Sequence, residues 1–115
     1  MSLASYHAGL SAEHSVAGKY ARCGFKIVAE RYKSPEGEID LIALHGDKLY
    51  FIEVKQSKTF DRAAAALGAR QMKRIQNASL CYLQKMGLPL ETEMRFDVAL
   101  VDGQGFIKVI PDAIH

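Results

Sequence analysis

No stretch of this sequence approaches the roughly 18 apolar residues of a membrane-spanning helix, and its start, MSLASYHAGL, lacks the basic region and long apolar run of a secretory leader. The expected location is therefore the cytoplasm, with no membrane partner. Cysteine is scarce: Cys23 and Cys81 are the two present, and neither has a companion at CxxC spacing, which leaves no cysteine-based metal motif. Both fall in segments that read as helices and are expected to be reduced, buried thiols. The four histidines stand apart, without HxH or HExxH spacing, and receive no metal role. A dominant charge is also missing. Fifteen Lys and Arg against thirteen Asp and Glu leave a net charge of +2, too little to argue for a polyanionic partner, so basic character has to be local. Repeats, low-complexity blocks and Pro/Gly/Ser linkers are absent as well. What is there is 115 residues at 49% hydrophobic composition, enough for one domain, residues 1–115, around one core.

Periodicity divides this domain into elements. From about Ser11 to Arg22, Val16, Ala17, Tyr20 and Ala21 make a helical stripe that Gly24 is placed to end. Phe25 to Arg31 is apolar and β-branched. The turn residues Ser34-Pro35-Glu36-Gly37 then lead into a second extended run, Glu38 to Leu44. After His45-Gly46-Asp47-Lys48, the segment Leu49 to Lys55 alternates as a third strand. A long helix is expected from about Ala63 to Met86, with Met72, Ile75, Ala78, Tyr82, Leu83 and Met86 near a 3.6-residue period. Met94 to Val101 and Phe106 to Ile110 follow as strands around the Asp102-Gly103-Gln104-Gly105 turn. The order αβββαββ describes an α/β (α+β) domain with a mixed central sheet flanked by helices.

Chemistry concentrates in the second and third strands. Residues two apart on a strand share a face, so Glu38 and Asp40 point one way and Ile39, Leu41 and Ala43 the other. Glu53 and Lys55 share a face of the third strand, opposite Tyr50, Ile52 and Val54. Pairing through the short turn makes Asp40 and Glu53 neighbours across the ladder. Charges in such apolar strands are costly unless compensated, and facing carboxylates repel. A divalent cation resolves both difficulties: hard carboxylate oxygens suit Mg²⁺ or Mn²⁺ and leave positions for water and a phosphate oxygen. Lys55 beside such an ion could orient the attacking water and neutralise charge growing on a phosphate. A plainer arrangement is equally open from the spacing, an Asp40–Lys55 cross-strand salt bridge with Glu53 in solvent.

Gly37-Glu38-Ile39-Asp40-Leu41-Ile42-Ala43, followed after nine residues by Glu53-Val54-Lys55, resembles the PD-(D/E)xK signature of the restriction-endonuclease-like superfamily. More narrowly the chain is similar to the YraN-type bacterial proteins, a family of nucleases proposed from sequence and related to archaeal Holliday-junction resolvases. The likeness runs over most of the chain: a Glu-bearing first helix, GEIDLIA, FIEVK, a helix carrying Ala78 and Cys81-Tyr82-Leu83, then Arg95-Phe96-Asp97-Val98. It implies a single nuclease-like domain that hydrolyses phosphodiester bonds in DNA, branched or junction forms included, with Mg²⁺ or Mn²⁺ held by Asp40, Glu53 and Glu13. By the same resemblance Lys55 supports the hydrolytic water, and Gln71 or Lys73 stands near it. The family commonly has Gly-Glu where this chain has Ala12-Glu13, and it is more basic just after the EVK motif than Gln56-Ser57-Lys58. Homodimers are common in the superfamily, so one is possible here by analogy.

Each of these residues also has an ordinary role. Glu13 suits the first turn of a helix through the macrodipole, and Glu38 suits the end of a turn, although it shares the face of Asp40. Arg70, Lys73, Arg74 and Asn77 fall on one helical face, which is either solvated surface or, with Lys58, a stripe that follows phosphates. Arg95 and Asp97 share a strand face and are expected to pair with neighbours. Two further classes of function accompany the nuclease: a nucleic-acid-binding module without turnover, and a structural or interaction protein.

Overall fold

The structure is a computed structural model that describes residues 3–113, with side chains described from residue 9 onward. Helix α1 spans Leu3–Arg22, strands β1, β2 and β3 span Lys26–Ser34, Gly37–His45 and Lys48–Gln56, helices α2 and α3 span Phe60–Ala65 and Ala69–Lys85, and strands β4 and β5 span Met94–Val101 and Ile107–Ile110. Five strands form one mixed sheet in chain order: β1, β2 and β3 are an antiparallel meander, β4 lies parallel to β3, and β5 returns antiparallel to β4. The parallel pair needs a crossover, and α2 with α3 provides it.

The α+β architecture and the meander agree with the periodicities, and several details differ. Helix α1 begins well before Ser11, which puts Glu13 in mid-helix, out of reach of the first-turn macrodipole effect. The expected helix from Ala63 to Met86 is two helices. Thr59 caps α2 by accepting from the Arg62 N–H at 3.2 Å, and extended Gly68 starts α3 afresh. Cys23 lies beyond α1 and is exposed, because Gly24 at φ 90 turns the chain one residue after it, while Cys81 is half-buried.

The sheet carries a core on each face. On one, Ala12, Val16 and Tyr20 of α1 meet Leu41, Ala43, Tyr50, Ile52, Ala99 and Val101. On the other, Ile75, Ala78, Tyr82 and Leu83 of α3 cover Ile39, Ile42, Leu49 and Phe51, while Ala63 of α2 covers Val98 and Leu100. Met86 falls at the end of α3 and is exposed. Ile39 therefore does not share a face with Leu41 and Ala43, as strict alternation predicts. The β1–β2 ladder pairs Glu30 with Leu41 and Tyr32 with Ile39 but skips Arg31 and Asp40, and Arg31 has φ 52. A left-handed residue breaks the pleat there and turns Ile39 toward α3.

Candidate metal and phosphodiester site

The irregularity at Asp40 is where the site forms. The last pair of the β2–β3 ladder is Leu41 with Ile52, and the same register carried one step further sets Asp40 opposite Glu53. Instead of a backbone carbonyl, Asp40 Oδ2 accepts the Val54 N–H at 2.8 Å, so a carboxylate replaces the missing rung where the strands part. Into this gap α1 sends Glu13 from one face of the sheet and α3 sends Gln71 from the other. Gln71 Nε2 donates to Glu53 Oε2 at 3.2 Å. The result is an open cleft of about 480 Å³ lined by Glu13, Glu38, Asp40, Glu53, Lys55 and Gln71, with Gly9, Ala12, Val54 and Gln56 completing the wall.

Electrostatics in this cleft are unfavourable without a cation. Glu53 is only 5% exposed, and its carboxyl is pushed up to about 9, first by burial and then by its hydrogen bond to Asp40 and that residue's charge; Lys55 acts in the opposite direction. Glu13 is 9% exposed, and its pKa is raised by burial and by the charge of Asp40, with Arg31 opposing. Glu13 Oε1 is buried and has no hydrogen-bond partner among the described residues. Buried polar atoms in folded proteins are usually partnered, and one that lacks a protein partner is a place for an ordered water or an ion. Lys55 lines the cleft but is in neither of the ion pairs among the described residues, Arg31–Glu38 and Arg95–Asp97. With Glu53 buried and Lys55 outside any ion pair, the plain Asp40–Lys55 salt bridge is not formed.

The donor set fits a hard divalent ion. All carboxylates in the cleft offer oxygen, and neither Cys nor His lines it. Among the described residues no group of three His, Cys, Asp or Glu side chains is placed to hold a metal ion, so any ion here would rest on fewer carboxylates. Mg²⁺ keeps several waters and is commonly held by one or two carboxylates together with substrate phosphates. Asp40 and Glu53 would be the residues to hold it, with Glu13 lining the same cleft.

The model of the family described as uncharacterised protein family UPF0102 matches residues 12–101, which include Glu13, Asp40, Glu53, Lys55 and Gln71. A UPF0102 protein of Ruegeria pomeroyi is 50% identical over 92% of this chain and 86% of its own length. A UPF0102 protein of Cereibacter sphaeroides is 48% identical over 95% of this chain and 93% of its own length, and one of Roseobacter denitrificans is 41% identical over 96% and 85%. The chain belongs to the UPF0102 family. This is the YraN-type family that the ordered motifs resemble, and the names of these UPF0102 relatives assign no activity.

Of the residues singled out from sequence, the fold of this UPF0102 protein brings Glu13, Asp40, Glu53, Lys55, Gln71 and Glu38 into one cleft. Between Gln71 and Lys73, Gln71 reaches it and Lys73 is exposed outside its wall. Arg70 and Arg74 line the neighbouring cleft, whereas Lys58 is exposed at the turn before α2 and lines neither. Two contributors were invisible in the sequence. The Val54 N–H is a backbone group whose role does not depend on its side chain. Arg31 matters through its left-handed backbone and its 3.7 Å ion pair with Glu38, and no local pattern marks either.

Proposed function

We propose that this UPF0102 protein is a Mg²⁺- or Mn²⁺-dependent phosphodiesterase acting on nucleic acid, DNA in the first instance. The observation that carries the reading is the cleft that gathers Glu13, Asp40 and Glu53 with Lys55 and Gln71, in which Glu13 has a buried Oε1 without a hydrogen-bond partner among the described residues. A divalent ion at such a site supplies Lewis acidity and a water that ionises near neutral pH. The protein's own groups do the rest. Asp40 and Glu53 hold negative oxygens in a fixed frame, Asp40 because the Val54 N–H pins it and Glu53 because Gln71 does. The Lys55 ammonium, on the same strand face as Glu53, stabilises charge that develops on a phosphoryl oxygen and orients an incoming water. The resemblance to PD-(D/E)xK enzymes points the same way.

Calorimetric titration with Mn²⁺ and Mg²⁺, on wild type and Asp40→Ala, tests the site, and incubation with branched, flapped, single-stranded and duplex DNA plus Mn²⁺ tests the activity. Saturable uptake that Asp40→Ala removes, with cleavage lost in Glu53→Ala and Lys55→Ala, is expected. Equal uptake by both proteins, or none, refutes the metal site, and cleavage that survives Lys55→Ala belongs to a contaminant. A binding module without turnover is the second reading. It is favoured by the open carboxylate arrangement, and it predicts a DNA shift with no product.

A further inference from the structure

A second cleft, of about 460 Å³, adjoins the candidate site and shares Glu38 and Gln71 with it. Its wall comprises Gly37, Ala66, Gly68, Arg70, Arg74 and Ile75. Arg70 and Arg74 are four apart on α3 and lie on one side of the helix; both are exposed, and neither is in an ion pair among the described residues. Gly37 closes the opposite wall at the start of β2, where a Cβ would come within 3.2 Å of the Arg74 Cβ, so the absence of a side chain lets β2 and α3 approach closely. The acidic member of the shared wall, Glu38, is paired with Arg31 at 3.7 Å and does not act as an uncompensated repulsive charge.

We infer that this cleft is a second phosphate subsite, which takes the backbone phosphate next to the one in the carboxylate cleft. The assignment rests on the phosphodiesterase reading for the strand's path. The first cleft holds three carboxylates besides Glu38 and one cation, Lys55, so a polyanionic backbone needs neutralisation immediately beside it. Two arginines on consecutive turns supply this where the cleft continues, and guanidinium groups match phosphate oxygens in a two-pronged geometry. Of the basic residues near the motif, Lys58 and Lys73 line neither cleft and have no such part. Because a contact to phosphate carries no base identity, the subsite contributes affinity and register without sequence preference.

Counterion release provides the readout. Removing the cation that neutralises one phosphate lowers the slope of log affinity against log salt by about 1. Binding of a blunt duplex of about 20 base pairs is measured across a salt series in Ca²⁺, for wild type, Arg70→Ala/Arg74→Ala and Lys58→Ala/Lys73→Ala. The arginine pair is expected to lower the slope by about 2 and to weaken binding at least about tenfold at low salt, with the lysine pair close to wild type. An unchanged slope in the arginine variant overturns the subsite, and so does an equal decrease in the lysine variant, which indicates a diffuse positive surface. Failure of wild type to bind the duplex overturns the subsite, and failure to bind branched, flapped and single-stranded DNA as well overturns the nucleic-acid reading with it. A lowered slope without Mn²⁺ uptake by wild type sustains the subsite and overturns the hydrolytic reading alone.

Discussion

Replacing Glu53 with Gln should make the metal-free protein more stable while abolishing the proposed uptake of a divalent ion. Glu53 is buried, and its folded-state pKa lies near 9 against an ordinary value of 4.5. The folded chain thus keeps a proton that the unfolded chain releases, and stability present below about pH 4.5 is lost as pH rises toward about 9. One proton held by the folded state alone costs roughly 1.4 kcal/mol per pH unit. Between about pH 5 and about pH 8 the loss amounts to a few kcal/mol, a large share of the ~5–15 kcal/mol that stabilises a small domain. Glutamine has the same shape and does not titrate, and its amide oxygen can still accept from Gln71 Nε2. Urea denaturation followed by circular dichroism in EDTA is the assay. Near pH 5 the two proteins should unfold at similar urea concentrations, and near pH 8 the variant should be more stable by about 2–4 kcal/mol, with a flatter pH profile. Glu13, raised in the same direction, remains in both proteins and keeps the variant's profile from becoming fully flat. Parallel profiles, or a variant less stable than wild type near pH 8, would refute the claim that burial and the neighbouring carboxylate burden the apo site.

Two further outcomes follow from the same structure. Since an ion must displace the proton on Glu53, Mn²⁺ should raise the melting temperature more near pH 8 than near pH 5 and should release protons on binding, measurable by calorimetry in buffers of different ionisation enthalpy; a pH-independent shift with no proton release counts against Glu53 as a ligand. Away from the site, Asp97 is fully buried and is held by Arg95 at 2.8 and 2.9 Å, by the Tyr20 hydroxyl at 2.7 Å and by the Asp112 N–H at 3.1 Å. Arg95→Ala strips its cation and should cost about 3–5 kcal/mol in urea denaturation, with Arg95→Lys intermediate because Lys cannot bond in a fork; a loss under about 1 kcal/mol contradicts the assigned role.

Much of this was legible in the residues. The alternation in Leu49 to Lys55 marks β3 and its two faces, and the α3 stripe of Ile75, Ala78, Tyr82 and Leu83 is buried as its period predicts. The register that sets Asp40 against Glu53 follows from a short turn and a period of two. Such features are local: side-chain direction repeats with the backbone, so a run of residues carries its own face. The break at Gly68 was harder to see, because the alanine-rich stretch before it favours helix and a lone Gly does not always end one.

The remainder depended on elements far apart in the chain. Glu13 reads as an ordinary helical carboxylate until α1 packs over Leu41 and Ile52, which brings it to the wall of the cleft with its Oε1 buried. The Glu53 carboxyl is shifted upward by burial and by Asp40, which come together only in the fold, and Gln71 rather than Lys73 reaches it because residues two apart on a helix face different ways and the Gln71 side of α3 is turned to the sheet. Composition and periodicity specify which residues are charged and which way each points along its own strand or helix. Burial, desolvation and the meeting of Glu13, Asp40 and Glu53 depend on distances between elements, which arise when both faces of the sheet are packed and the β2–β3 ladder ends at Leu41 and Ile52.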